Sequence, residues 1–346
     1  MGAVARYAYL NARVSVMAAR LLPPAQIEAL VDRPLREGSA SVMESAIGFS
    51  LDERDIDPTV LEQAWLLSLL EDLKILGRSL SGNARDLLIY WIRRFELGNL
   101  KAIIRGKMAG RASAAIREEL VELGSFTTLK LDQLLATEDV AELLRRLEAS
   151  PYGDIARQAR AVFEERHDTF MLDAALDRRY FAGLMKRVRS FSGVDRRSLD
   201  RLLGSITDHV NLVWLLRYRL SYDLPPAETY YLLISGGYRI SSRDWQELVR
   251  MGSLSEVVDA LPSSLRTVLE GATSISEVQR RLEQEVRQVA QGVLTHTAFN
   301  LARALAYLLL REMEMHQVLA VLKGRKLGLS PALIRFSAGF TPQGTL

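Results

Sequence analysis

The sequence contains no cysteine, no long apolar run and no signal-peptide pattern at its N-terminus. The lack of cysteine excludes disulfides and thiolate metal sites, and it fits a reducing, cytoplasmic compartment. A membrane span needs roughly 18 uninterrupted apolar residues. The most apolar run, Ala304 to Leu310, is much shorter and lies between Arg303 and Arg311. We therefore expect a soluble chain that reaches any membrane only through protein partners.

Motifs that mark a catalytic or cofactor site are also missing. There is no G-x-x-x-x-G-K-[ST] phosphate loop, no G-x-G-x-x-G between a strand and a helix, and no G-x-S-x-G nucleophile elbow. None of the histidines has a second ligand at metal-binding spacing, so we predict structural or surface roles for His167, His209, His296 and His316. The sequence predicts no catalytic residue, no cofactor and no metal, and hence no enzyme.

The composition is that of an ordinary globular protein. Of 346 residues, 48% are hydrophobic and 25% are charged, with 45 bases against 42 acids. This near balance of mixed charges argues against a nucleic-acid partner. The length suggests two or three domains.

Apolar residues recur at helical spacing along most of the chain, and strand signals are almost absent. Tyr7, Leu10, Val14, Met17 and Leu21 form a helical seam that must end at Pro23-Pro24. Further helices are predicted over residues 24–50, from the Asp55–Pro58 start to Ile75, and over 87–108, 170–191 and 275–311. We predict an all-α protein.

One motif occurs three times, as E-L-G-N-L-K-A-I-I-R-G-K, D-H-V-N-L-V-W-L-L-R-Y-R and E-M-H-Q-V-L-A-V-L-K-G-R. Each copy has an acid, an amide three residues later, then apolar positions, a base and a second base. The amides are Asn99, Asn211 and Gln317, which are 112 and 106 residues apart. That period is the size of a small domain.

Other positions repeat with nearly the same period. Leu134 to Leu147 matches Leu248 to Leu261. A glycine also recurs 25 residues after the first two amides and 22 after the third, as Gly124, Gly236 and Gly339. We therefore predict three related helical units, residues 1–124, 125–237 and 238–346.

On a helix, the acid, the amide and the second base of the motif share the apolar face. An acid and a base eleven residues apart lie about 16 Å apart along the axis, so each needs another partner. We expect a polar network between helices or units made by Glu96, Asn99, Lys107, Asp208, Asn211, Arg219, Glu314, Gln317 and Arg325. Candidate partners for the acids are Arg13, Arg20, Arg178 and Arg179. The alternative is an inward surface that binds a partner protein.

The remaining polar and aromatic positions of the motifs face elsewhere. The first base of each copy points outward, which makes Arg105, Arg217 and Lys323 possible partner contacts, although such charges are more often solvated. The aromatics near the second motif favour core and interface positions over base stacking: Trp214, Tyr218, Tyr222, Tyr230 and Tyr231.

Several segments resemble the C subunit of archaeal and bacterial V-type ATPases, known as the d subunit in eukaryotes. They are Y-A-Y-L-N-A-R-V-S-V-M-A-A-R-L-L near the N-terminus, N-L-K-A-I-I-R-G-K, L-D-R-R-Y-F, D-H-V-N-L-V-W-L-L-R-Y-R and Y-Y-L-L-I-S-G-G-Y-R-I. The resemblance implies three pseudo-symmetric units arranged as a funnel around a central opening. It also implies a cytoplasmic, peripheral rotor subunit that joins the central stalk to the membrane proteolipid ring.

Two points stay open at this stage. The third motif has Gln317 and Lys323 where the others have asparagine and arginine, and its tail is shorter, which puts the equivalence of its contacts in question. The competing function is a helical-repeat adaptor for protein or nucleic acid, which predicts a basic groove with salt-dependent nucleic-acid binding.

Overall fold

The computed structural model describes residues 3–32, 58–166 and 169–340. These residues form helices joined by turns and loops, and no strand occurs among them. The prediction of an all-α protein is confirmed.

The helices of the described residues are numbered in chain order. They are α1 Ala3–Ala18, α2 Pro24–Ala29, α3 Pro58–Gly77, α4 Gly82–Met108, α5 Ser113–Arg117, α6 Leu131–Leu135, α7 Val140–Leu147, α8 Gly153–Arg166, α9 Thr169–Val188, α10 Gly193–Leu216, α11 Pro226–Leu232, α12 Ser242–Leu248, α13 Leu254–Ala260, α14 Ser263–Leu269, α15 Ile275–His296, α16 Leu301–Lys326 and α17 Pro331–Ser337. A π-helical turn, Arg217–Ser221, follows α10.

The first of two compact units comprises residues 1–81, 193–205 and 264–346. Its central helix is α16, which packs against α1, α3, α15 and α17. The run Ala304 to Leu310 lies on this helix and is almost entirely buried, which explains its apolar character. Tyr7, Leu10, Val14 and Met17 are the buried face of α1, as their spacing predicts.

The second compact unit comprises residues 82–192 and 206–263. Its long helix α9 packs against α4, α8 and α11, and α7 packs against α8. Tyr180 stacks on Tyr90 with ring centroids 5.3 Å apart, and each phenol donates to a backbone carbonyl of the facing helix. These contacts fix α9 against α4.

One predicted helix is wrong and others are only partly testable. The helix predicted over 275–311 is two helices, because Phe299 has a positive φ and Asn300 caps α16 by accepting from the amide of Ala302. Of the helical stretch predicted over 24–50, residues 33–50 lie outside the described residues, as does most of the Asp55–Pro58 start.

Candidate functional site

The amide of each motif binds the backbone of a loop about twenty residues further along the chain. Asn99 donates to the carbonyl of Val121 at 2.7 Å and accepts from the same residue's amide at 2.8 Å. Asn211 makes the same pair of bonds to Ile234, at 2.9 and 2.8 Å. Each asparagine therefore satisfies both backbone groups of one loop residue.

Gln317 makes only half of this pattern. It donates to the carbonyl of Ala338 at 3.0 Å, while its own oxygen accepts from Arg287 at 2.6 Å. The glycines that follow the three amides, Gly124, Gly236 and Gly339, have φ of 52°, 95° and 77°. This left-handed backbone explains why glycine recurs at those positions.

The acids of the first two motifs accept hydrogen bonds from loop backbone. Glu96 binds the amides of Thr128 and Leu129, the hydroxyl of Thr128 and the phenol of Tyr152. Burial and the Glu96 charge raise the pKa of Tyr152, so its phenol stays a donor.

Asp208 accepts from the amides of Tyr238 and Arg239 through Oδ2, at 3.0 and 2.7 Å. Burial raises the pKa of Asp208 to about 6, although these two amide bonds oppose the shift. Gly237 lies so close that an added Cβ would overlap Oδ1 of Asp208. The carboxylate and the loop therefore fit only with glycine at this position.

Glu314 binds both a cation and the backbone. Its Oε2 accepts from Arg311, one turn earlier on the same helix, at 2.9 Å. Its Oε1 accepts from the amide of Leu22 at 2.7 Å, across 292 residues of sequence. Burial raises the pKa of Glu314.

The predicted arginine partners of these acids are wrong. Arg13 donates to the phenol of Tyr9, Arg178 lies over the ring of Tyr231, and Arg179 pairs with Asp154. Arg20 has an exposed side chain near Asp72, where burial raises the pKa of the carboxyl and the charge of Arg20 opposes that shift. The acids are compensated mainly by backbone amides, and for Glu314 by an arginine of its own helix.

The second base of each motif donates to carbonyls at the end of a short helix. Lys107 binds the carbonyls of Leu135 and Thr137, at the end of α6. Arg219 binds the carbonyl of Val249, just after α12, at 2.8 Å. Arg325 binds the carbonyl of Leu30, just after α2, at 2.8 Å. The last carbonyls of a helix lack partners within it, so each base satisfies groups that need one.

Acid and base together hold a short helix at both ends. In each copy the acid binds the chain that enters the helix and the base binds the chain that leaves it. We call this arrangement a helix clamp: the first holds α6, the second α12 and the third α2. The separation of about 16 Å between acid and base matches a helix of this length with its flanking residues.

The third clamp holds a helix from the opposite end of the chain. In the first two clamps the held helix follows its motif by about 30 residues, whereas α2 precedes its motif by 292 to 295 residues. The three held helices share an apolar spacing: Ile27-Leu30-Val31, Leu131-Leu134-Leu135 and Trp245-Leu248-Val249. That shared spacing is the sequence signal that could have identified α2.

The first and third motifs also end alike. Gly106 and Gly324 lie 218 residues apart, and so do Ile116 and Ile334, onto which they pack. The chain then turns through Gly110 and Gly328, each with φ of 66°. In the second motif the equivalent position is Tyr218, and the helix ends in the π-helical turn. The third motif therefore departs from the first at its amide, whereas the second departs at its end.

The first bases of the motifs are exposed side chains. Arg105 lies 3.2 Å from Asp173, and Lys323 lies 2.9 Å from Glu62, in surface ion pairs. Arg217 is exposed as well. Surface pairs of this kind contribute at most about 1 kcal/mol each.

The histidines and acids form no metal centre in the described part of the chain. No group of three or more His, Asp or Glu side chains there is placed to hold a metal ion. Burial lowers the pKa of His209 to about 4, while His296 and His316 are exposed. His167 lies outside the described residues. Among the described helices, none is both long and apolar enough to cross a bilayer.

Comparison with known proteins gives a consistent match. A family model described as ATP synthase (C/AC39) subunit matches residues 10–336. The chain is 23% identical to the C subunit of the A-type ATP synthase of Methanocaldococcus jannaschii, over 96% of this chain and 86% of the relative. It is 25% identical to that of Methanothermobacter thermautotrophicus, over 95% and 86%. It is 27% identical to that of Halorubrum lacusprofundi, over 72% of each.

Proposed function

The chain belongs to the ATP synthase (C/AC39) subunit family, and on that basis we propose that it is a non-catalytic rotor subunit of a rotary ATPase. In this role it couples the central stalk to the membrane proteolipid ring and transmits torque for ion translocation. The observation that carries the proposal is the family match along residues 10–336. The chain then works at the cytoplasmic face of the membrane, attached through its partners.

The proposed architecture is a funnel of three pseudo-symmetric helical units, residues 1–124, 125–237 and 238–346, around a central opening. The stalk enters the opening, and the proteolipid ring lies against the other face. The three helix clamps support a threefold origin, since in each copy the acid accepts from a backbone amide and the second base donates to a backbone carbonyl. In this architecture α2, although it lies within residues 1–124, is the held helix of the third unit.

Torque transmission requires a body that does not yield under load. The helix clamps suit this task because their buried acids and their bases hydrogen-bond to backbone groups, and these bonds break only at a cost in free energy. Glu96, Asp208 and Glu314 are each at least 97% buried. The charged groups of the motif thus serve rigidity in this proposal, with no chemical step assigned to them.

Gentle solubilisation of the membranes tests complex membership. With a tag on this chain, we expect co-purification of a proteolipid ring and a coiled-coil stalk protein. Deletion of the gene should abolish ATP-driven ion uptake into vesicles while the soluble catalytic head still hydrolyses ATP. A chain found only free, with ion uptake unchanged by its deletion, would overturn the proposal.

A further inference from the structure

The second motif departs from the other two at its end, and the segment that begins there, residues 217–242, contains an unusual surface. Where Gly106 and Gly324 allow a short helix to pack closely, Tyr218 is itself buried against Met171, Ala174 and Leu232. Single π-helical turns such as Arg217–Ser221 occur often at functional sites. The role of the motif in holding a short helix does not explain why the second copy alone has Tyr218 and this π-helical turn.

A cavity of about 500 Å³ lies beside this segment. Its walls include Arg178 of α9, Tyr230 and Tyr231 of α11, the loop Leu233–Gly237, and Trp245 of α12. A volume of this size accommodates a few side chains of a bound segment. Tyrosine, tryptophan and arginine are the residues that most often dominate protein–protein binding energy.

The charges at this cavity favour an anion. Arg178 is half-buried and lies over the ring of Tyr231, 4.4 Å from its centroid, without a carboxylate partner in the described part of the chain. Arg189 is close to the loop as well, with a guanidinium nitrogen 4.0 Å from the place of a Cβ on Gly236. None of the described residues that line the cavity is an aspartate or glutamate. A half-buried cation without an acid gains most from a ligand that supplies one.

The wall of the cavity is held in place by the second helix clamp. Asn211 binds both backbone groups of Ile234, and Asp208 binds the amides of Tyr238 and Arg239. Arg219 binds the carbonyl of Val249 at the other end of α12. A ligand therefore meets a surface that is already ordered, which lowers the entropic cost of binding.

We propose that this cavity binds a carboxylate-bearing segment of a partner polypeptide, with Arg178 as the principal contact for the carboxylate. The exposed ring of Tyr231, which is 59% accessible, contacts the apolar side chains next to that carboxylate. Trp245, which is 4% accessible, is the apolar floor. The site is independent of the funnel arrangement, since all of its residues belong to the second compact unit.

The test uses the purified full chain and a short acetylated, amidated peptide of alternating glutamate and leucine. The chain has four tryptophans, so its indole N–H groups give few NMR signals, and a Trp245→Phe variant identifies the signal of Trp245. We expect the acidic peptide to shift this signal, and the same peptide with glutamine in place of glutamate to bind far more weakly. Arg178→Gln should weaken binding about tenfold, the usual scale of a lost charge-assisted hydrogen bond.

Arg179→Gln is the matched control. Arg179 is the next residue on α9, but it pairs with Asp154 and does not line the cavity. It should leave peptide binding unchanged, and circular dichroism should show both variants folded.

Three results would overturn the proposal. They are equal binding of the acidic and glutamine peptides, equal effects of Arg178→Gln and Arg179→Gln, and an identical shift with sodium acetate at the same carboxylate concentration. The last result would indicate a site for small free anions in place of a polypeptide. Because the assay needs no other protein of the complex, failure here leaves the proposed membership in a rotary complex untouched.

Discussion

At the scale of single residues, the second motif shows what its acid and amide require. Asn211 offers a donor and an acceptor to one loop residue, Ile234, and neither alanine nor aspartate could replace both bonds. Asp208 instead faces two amide donors, which favour a charged acceptor, in a buried place that disfavours charge. Burial raises the pKa of Asp208 by more than the two amides lower it. Keeping the carboxylate charged in the folded protein therefore costs free energy, and this cost depends on pH.

Asp208 should make the stability of the chain fall as pH rises from about 4 to about 6. Its pKa is near 3.9 in an unfolded chain and about 6 in the folded one, so the folded state binds more protons between these values. The loss is on the order of 2 kcal/mol. Asp208→Asn keeps an oxygen for the amides of Tyr238 and Arg239 and does not titrate.

Thermal melting of the two proteins at several pH values measures this effect. The melting temperature of Asp208→Asn minus that of the wild type should increase from about pH 4 to about pH 7. Other titrating groups, including Glu314 with its own raised pKa, cancel in this difference. A difference that stays constant over the range would contradict the role assigned to burial.

At the scale of helices, a single glycine of α4 decides how α5 packs. A Cβ on Gly106 would lie 2.5 Å from Cγ1 of Ile116, so Gly106→Ala should destabilise the protein by about 1–3 kcal/mol through overpacking. Gly98, on the same helix, has no atom within 4 Å of its Cβ position. Gly98→Ala should therefore stabilise by about 1 kcal/mol through helix propensity.

Urea denaturation of both variants and of Gly106→Ala/Ile116→Ala checks this prediction. Ile116→Ala removes the side-chain atoms that would clash with a Cβ at position 106. The double variant should therefore be more stable than the sum of the effects of Gly106→Ala and Ile116→Ala, each measured alone, predicts. If Gly106→Ala and Gly98→Ala changed the free energy of unfolding equally, α5 would not pack on Gly106 in solution.

The helix clamps give a prediction with reciprocal controls. Arg325→Met removes the bond to the carbonyl of Leu30, and Lys107→Met removes the bonds to Leu135 and Thr137. Hydrogen exchange should become faster in residues 22–31 for the first variant and in residues 129–137 for the second. Each variant is the control for the other. If either variant accelerated hydrogen exchange in both segments, the substitution would have destabilised the protein as a whole, and the clamps would not act separately.

The sequence predicts most of the helices because the apolar residues that mark a helix recur every three or four positions, a pattern that a short stretch of sequence contains. It could not identify the partners of the acids, because those partners are mainly backbone amides, which every residue except proline possesses. The break at 297–300 was missed because the apolar pattern resumes at Leu301 in the next helix, and Asn300 marks the boundary only as a cap. The role of α2 was missed because its partners lie 292 residues away.

At the scale of the whole molecule, helices α1 and α2 belong to the same compact unit as α15, α16 and α17, and they are an integral part of that unit. Within residues 3–31, seven apolar side chains are buried: Tyr7, Leu10, Val14, Met17, Ile27, Leu30 and Val31. Ile27, Leu30 and Val31 share a core with Met315, Val318 and Leu322 of α16. Arg303 binds the backbone carbonyl of Asn11, and Tyr7 donates to Asp195. The third clamp thus closes a unit whose hydrophobic core includes side chains of α2 and α16, which are far apart in the sequence.

A protease site inserted within residues 33–57 tests this closure. After cleavage, the N-terminal fragment should stay bound and co-elute with the rest of the chain in gel filtration, because each buried apolar side chain contributes about 1.5–3 kcal/mol. Glu314→Gln/Arg325→Met removes or weakens the polar bonds of the third clamp and should speed the release of the fragment in dilute urea. The matched control, Glu96→Gln/Lys107→Met, changes the first clamp, whose residues belong to the second compact unit, and should leave the release rate of the fragment unchanged. A fragment that separates at once in buffer would contradict the closure, because α2 and α16 would then be held together by chain continuity alone.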